Sequence, residues 1–230
     1  MKESWLMEEL IVKHTEIMEK YDKNKEVDLI VDEWGGWYDV AEGTNPGFLY
    51  QQNTMRDAMI AGMNLNIFNN HADRVKMANL AQTVNVLQAV ILTEEEKMIL
   101  TPTYHVMNMY KVHQDAKLIP LSFESPDYTY EGETLPAINA SASIDEDGKT
   151  HLSIVNIDAK KSNTVSIDLN SLGIKSISAQ ILRSGKLQDH NSFEEPNKIE
   201  PKEYNDVKFK KGILEVEMPP FSVIMLEGKN

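Results

Sequence analysis

The hydrophobic period changes part-way along this chain, and no single class of secondary structure accommodates both periods. Before about Asp115 the apolar residues recur as on a helix face; after it they alternate, as along a strand. From Ser4 to Tyr21, Leu6, Leu10, Ile17, Met18 and Tyr21 fall at helical spacing with Glu8, Glu9, Lys13, Glu16 and Glu19 between them. The polar break Asp22 to Glu26 leads into Val27-Asp28-Leu29-Ile30-Val31, a β-branched run suited to a buried parallel strand. A second helix fits Met55 to Met63, with Met55, Met59 and Met63 as a core stripe and Thr54 with Asp57 as a capping box. Arg74 to Leu80 reads as another strand, and Thr101-Pro102 opens a helix through Tyr104, Met107 and Tyr110. The order helix, strand, helix, strand, helix predicts an α/β segment over residues 1–115.

In the second half, alternating runs occur at Leu152 to Ile154, Val165-Ile167-Leu169, Ile177-Ala179-Ile181 and Leu214-Val216-Met218. Turn signals at Asp145 to Gly148, Ser184-Gly185, Lys211-Gly212 and Pro219-Pro220 separate them. Residues 116–230 therefore read as an all-β antiparallel sandwich, with Ser125 to Pro136 as a long connection between early strands. Two strands and three helices close no barrel, so the first part reads as cut from a larger α/β domain.

Composition narrows the chemistry. The chain has no cysteine, which excludes disulfides, thiolate metal sites and cysteine nucleophiles. Its 36 acidic and 23 basic residues give a net charge of −13, which repels nucleic-acid phosphates unless a basic patch is segregated. Lys160-Lys161 and Lys210-Lys211 are isolated pairs beside turns, so no nucleic-acid partner is expected; neutral ligands such as sugars suit this surface. No run approaches the ~18 to 20 apolar residues of a membrane span, and no membrane partner is expected. The first residues lead into an acidic amphipathic pattern rather than a secretory leader, and the compartment stays open. There is no Gly-x-Ser-x-Gly elbow, phosphate-cradling loop or dinucleotide fingerprint. His14, His105 and His113 lie in helical patterns and read as ordinary helix residues.

The informative stretch is Leu29-Ile30-Val31-Asp32-Glu33-Trp34-Gly35-Gly36-Trp37-Tyr38, in which an apolar strand runs into two acids and then aromatics. In parallel α/β barrels the C-terminal strand ends build the active site. Aromatic faces pack on C–H-rich sugar faces, while carboxylates bind hydroxyls or attack the anomeric centre. On the residues alone, an acidic loop closing a strand, with the tryptophans as core filler, remains an equal reading.

The string LIVDEWGGWYDV resembles the nucleophile strand of glycoside hydrolase family 51, the α-L-arabinofuranosidases. NHADRVKMANLAQTVNVL resembles that family's final barrel strand and the loop after it, and the likeness continues through TPTYHVMNMY into the sandwich. The resemblance implies a partial (β/α)8 barrel, its last two strands with their helices, followed by an antiparallel β-sandwich. It makes Glu33 the catalytic nucleophile, with Trp37 and Gln82 lining the subsite for an arabinofuranose. Asp32 and Trp34 are implied to support the strand end. Asn70, His71, Asp73 and Arg74 are implied to form a buried polar network beneath the site. His71-x-Asp73 hints at a metal, yet the resembled chemistry needs no metal or cofactor.

Retaining hydrolysis needs a second carboxyl about 5 to 5.5 Å from the nucleophile. In this family it follows an asparagine on an earlier barrel strand, and the sequence before Val27 holds only a helix. The resemblance thus implies a fragment of an enzyme acting on arabinofuranose-containing oligo- or polysaccharides, inactive alone and, as a whole, a homo-oligomer. The alternative is a non-catalytic sandwich that binds a glycan or partner and carries a vestigial barrel piece.

Overall fold

The computed structural model describes residues 1–230. Helix α1 spans Lys2–Met18 and leads to strand β1, Leu29–Trp34; helix α2, Met55–Asn70, follows and leads to strand β2, Val75–Leu80. The two strands are parallel, with Leu29 opposite Val75 and Trp34 opposite Leu80. They form a sheet of two strands with no further neighbour on either edge. A hairpin of β3 (Ile91–Glu94) and β4 (Lys97–Leu100) precedes α3, Pro102–Tyr110. Thr101 caps α3 through its hydroxyl, with proline at the start of the first turn, as its sequence predicts. The capping box is also present: the Thr54 hydroxyl accepts from Arg56 N, and the Asp57 carboxylate accepts from Thr54 N at 2.8 Å.

The second half carries β5 (Lys117–Leu118), β6 (Asp127–Tyr130), β7 (Glu133–Pro136), β8 (Ile138–Ile144), β9 (Thr150–Asn156) and β10 (Asn163–Asp168). It continues with β11 (Ser176–Leu182), β12 (Lys202–Glu203), β13 (Val207–Lys210), β14 (Ile213–Met218) and β15 (Ser222–Lys229). A six-stranded sheet in the order β12-β11-β15-β9-β8-β5 faces a three-stranded sheet in the order β10-β14-β13. All pairings within both sheets are antiparallel. Leu152, Ile154, Ile181, Leu214, Val216, Met218 and Ile224 fill the space between them. The antiparallel sandwich expected from the alternation is present. Ser125 to Pro136, expected as a plain connection, instead contains the β6–β7 hairpin.

The outer face of the six-stranded sheet is not solvated, because α2 lies on it. Twelve of the helix's residues are buried, among them Met55, Met59 and Met63, and the helix runs seven residues beyond the Met63 expected from its apolar pattern. One continuous core joins Met59, Met63 and Ile67 of α2 to Val155, Leu182, Val223 and Met225 of the sheet. Gly62 sets the approach: a Cβ there would stand 2.9 Å from Val155 Cγ2. Further along, the seam turns polar. Ser141 and Ser153 donate to Asn66 Oδ1 at 2.9 and 2.7 Å, and Asn66 Nδ2 donates to Asn139 O at 3.2 Å. His113, expected as an ordinary helix residue, ends a 3₁₀ turn and bonds Ser143 and Ser153 at 2.7 and 3.0 Å.

Candidate active site

Glu33 is the penultimate residue of β1, at its C-terminal end, and its side chain is exposed. The chain then turns through Gly35 and Gly36. Gly35 sits at φ +138, a region that disfavours side chains, and a Cβ at Gly36 would come within 2.8 Å of the Tyr38 ring. This tight path brings Trp37 back beside Glu33, so that the two line one shallow recess of about 170 Å³ with Gly35, Gly36, Ala81 and Leu87. Trp37 is 64% exposed. Trp34 does the opposite: it is 4% exposed and packs edge-to-face on Phe68 with ring centroids 5.5 Å apart. Trp34, implied to support the strand end, belongs to the core shared by β1 and α2. Asp32 is exposed and accepts a 3.4 Å hydrogen bond from Asn79 Nδ2 on the adjacent strand.

Two buried glutamines hold the glycine turn, and neither stood out in the sequence. Gln88 accepts from Gly36 N at 2.6 Å and donates to Asp57 O at 2.8 Å and Thr103 Oγ1 at 3.2 Å. Gln51 accepts from Tyr38 N and donates to Gly36 O, both at 2.9 Å. Arg56 lies 3.5 Å over the Tyr38 ring and pairs with the buried Asp57 carboxylate at 3.1 Å. Burial raises the Tyr38 hydroxyl above its usual range. The only available hint was the Gly-Gly dipeptide, which marks a turn but not its partners.

Gln82 follows β2 at the same end of the sheet, since Ala81 N donates to Trp34 O at 2.9 Å. Its side chain is exposed and lines a neighbouring recess of about 610 Å³ with Phe48 and Tyr50, rather than the recess of Glu33 and Trp37. Ala81 lines one recess and Gln82 the other, so a single wall separates them. The single cleft anticipated for all three residues is thus two adjoining ones, because the loop from Leu80 to Val90 folds between them.

Asn70, His71, Asp73 and Arg74 do not form a network beneath Glu33. They precede β2, at the opposite end of the strands, and each turns to a different partner. Asn70 donates to Ala140 O, His71 bonds Glu8 at 2.8 Å, and Asp73 pairs with Lys25. Buried Arg74 donates to Asp22 Oδ2 at 2.6 Å and Val27 O at 2.8 Å. Hydrogen bonds from Val27 N and Glu26 N, with Arg74 beside it, hold Asp22 at about 2. The Glu8 contact raises the His71 imidazole above its usual value. His71, Asp73 and Arg74 lock α1 and the loop before β1 onto the sheet, while Asn70 ties the end of α2 to β8. No cluster of three or more His, Asp or Glu side chains stands ready to hold a metal ion.

The family model of the α-L-arabinofuranosidase C-terminal domain matches residues 32–222. An intracellular exo-α-L-arabinofuranosidase of Bacteroides ovatus is 45% identical over 222 residues, covering 96% of this chain and 43% of the relative. An intracellular exo-α-(1→5)-L-arabinofuranosidase of Bifidobacterium longum is 27% identical over 232 residues, 88% of this chain and 41% of that protein. The crystal structure of a family 51 arabinofuranosidase from Xanthomonas axonopodis pv. citri matches with a TM-score of 0.96 at 44% identity, over 98% of this chain and 46% of that one. A Thermotoga maritima α-L-arabinofuranosidase, solved as an arabinose complex, matches with a TM-score of 0.82 at 25% identity, over 97% of this chain and 48% of its own. The chain thus spans less than half the length of each of these relatives. By family model, sequence and fold together, it belongs to the α-L-arabinofuranosidase C-terminal domain family, among the arabinofuranosidases of glycoside hydrolase family 51.

Proposed function

We propose that this chain is the nucleophile-bearing part of a retaining, exo-acting α-L-arabinofuranosidase. The substrate is a terminal non-reducing α-L-arabinofuranosyl residue of arabinan, arabinoxylan or an arabino-oligosaccharide. Residues 1–115 supply the last two strands and helices of the catalytic barrel, and residues 116–230 the sandwich. The observation that carries this reading is the pairing of exposed Glu33, at a parallel strand's C-terminal end, with exposed Trp37 in one recess. A structural acid has no need of an aromatic face beside it. The open barrel is supported by Ile30 and Met77, which sit opposite each other in register and are each 52% exposed. Apolar side chains on a sheet with two unpaired edges call for further strands.

In the reaction, the Glu33 carboxylate attacks the anomeric carbon and forms a covalent arabinosyl ester. The leaving oxygen takes a proton from a carboxyl group on the barrel segment outside this chain; the resulting carboxylate then deprotonates the water that cleaves the ester, so the product retains its configuration. The Trp37 face packs on the sugar's C–H surface, while the Gln82 amide, just beyond β2 in the adjoining recess, bonds hydroxyls where the two recesses meet.

The test is Glu33→Ala in the complete protein, assayed on an aryl α-L-arabinofuranoside. Turnover falls to below a few per cent, and added azide restores it with inversion at the anomeric carbon. A variant that keeps more activity than that, or an azide product of retained configuration, refutes Glu33 as nucleophile. The 230-residue chain alone should be inactive on the same substrate.

A further inference from the structure

We propose that the recess between Phe48 and Gln82 binds the second sugar of the substrate, the unit that carries the leaving oxygen, with Phe48 as its stacking face. This rests on the hydrolase reading above. Phe48 is a large aromatic residue left 70% exposed, in a loop that follows the nucleophile strand. Its position is fixed rather than floppy. Asn45 Oδ1 accepts from Gly47 N at 2.9 Å, Pro46 opens the 3₁₀ turn, and Leu87 N donates to Leu49 O at 3.0 Å.

The facing wall is equally braced. Asn85 Nδ2 donates to Thr93 Oγ1 at 2.8 Å while Thr93 N donates to Asn85 Oδ1 at 2.7 Å, which ties the loop after β2 to the following hairpin. Between these walls lies a recess of about 610 Å³ whose rim offers the Thr44 hydroxyl and the Gln82 amide, within the range of small-ligand sites. Phe48 and Tyr50 beside the Gln82 amide and the Thr44 oxygen, whose own proton goes to Ala41 O, supply the stacking and hydrogen-bonding chemistry of a neutral sugar site. The recess is also in the right place. It adjoins the Glu33–Trp37 recess across the Ala81–Gln82 and Val86–Leu87 segments, whose successive residues line one and then the other. Another recess, of about 370 Å³, shares Glu33 and Trp37 and opens toward α1; the Phe48 recess lies on the other side, where β2 ends and the loop through Gln82 begins.

The experiment uses the complete protein with Phe48→Ala and Phe48→Trp, and compares kcat/KM on an arabinofuranosyl disaccharide with that on methyl α-L-arabinofuranoside. A methyl group is too small to fill a recess of about 610 Å³. Phe48→Ala should lose about tenfold more on the disaccharide than on the methyl glycoside, in line with the worth of one aromatic contact, and Phe48→Trp should restore the ratio. Equal losses on both substrates, or no loss on the disaccharide, overturn the assignment while leaving the hydrolase reading intact. A lowered melting temperature without a substrate-selective loss shows Phe48 covered by the rest of the protein and overturns it too. A wild-type protein that turns over neither substrate sinks the hydrolase reading and this site with it.

Discussion

Gly62 is where the helical half of the chain meets the sandwich, and replacing it weighs two opposed effects whose sizes are known. Alanine in place of glycine inside a helix favours the folded state by about 1 kcal/mol. The added Cβ, however, would lie 2.9 Å from Val155 Cγ2, 3.3 Å from Val223 Cγ2 and 3.4 Å from the Tyr110 hydroxyl. Valine side chains on a strand are stiff at χ1, and the Tyr110 ring is itself buried, so the clash is relieved only by moving α2 off the sheet. Overpacking of this kind costs about 1 to 3 kcal/mol. We expect Gly62→Ala to destabilise by about 1 kcal/mol net, and Gly62→Val, which adds two further methyls to the alanine and gives back part of its helix propensity, by about 3 kcal/mol or more. Urea unfolding measures both, and hydrogen exchange shows where the loss falls. Because one core runs through α2 and the sheet, protection should drop together in α2, β9 and β15. A gain in stability for Gly62→Ala, or a loss confined to α2, would refute the close packing on which this rests.

Burial holds the His113 imidazole at about 4, well below its usual 6.5. The unfolded chain then binds the extra proton first, so its contribution is full above pH 6.5 and is lost as pH falls toward 4, by up to about 3 kcal/mol. His71 is shifted upward and works in the opposite direction, so the measure is the difference between wild type and His113→Asn, whose stability should fall less across that window. Gln88→Leu removes three hydrogen bonds from a fully buried amide and leaves Gly36 N–H without its acceptor; the expected loss is about 3 kcal/mol. Faster exchange of the Gly36 amide would accompany it, and unchanged Gly36 protection would count against the clamp.

The elements that could be read from sequence were those whose signal is local. The capping box at Thr54, the proline start of α3 and the strand running into Asp32-Glu33-Trp34 each declare themselves within a few residues. What stayed hidden depends on contacts across the chain. The Ser, Asn and His residues of β8 and β9 would face solvent in a sandwich standing alone, yet every residue of β9 is buried, because α2 covers that side with amides of its own. Met63 looked like the end of α2 for the same reason: the next turns carry Asn66, Asn69 and Asn70, polar residues that serve a buried seam rather than a loop. Glu33 and Trp37 were legible as a motif. Gln51 and Gln88 were not, since a single glutamine in a loop has no periodicity to betray it, and the division of the cleft depends on a loop path that no local pattern encodes.

The seam under α2 has unlike ends. Near Gly62 it is closed by Val155 and Val223, while near Asn66 it is closed by serine hydroxyls and side-chain amides. Water can replace the second set of partners but not the first. If the helix lifts, it should do so from its Asn70 end, pivoting about the methionine-lined turns, and the strip of sheet laid bare would be wettable. Lifting from that end would expose amides and hydroxyls before apolar side chains, beginning next to the Arg74 lock at the base of the sheet.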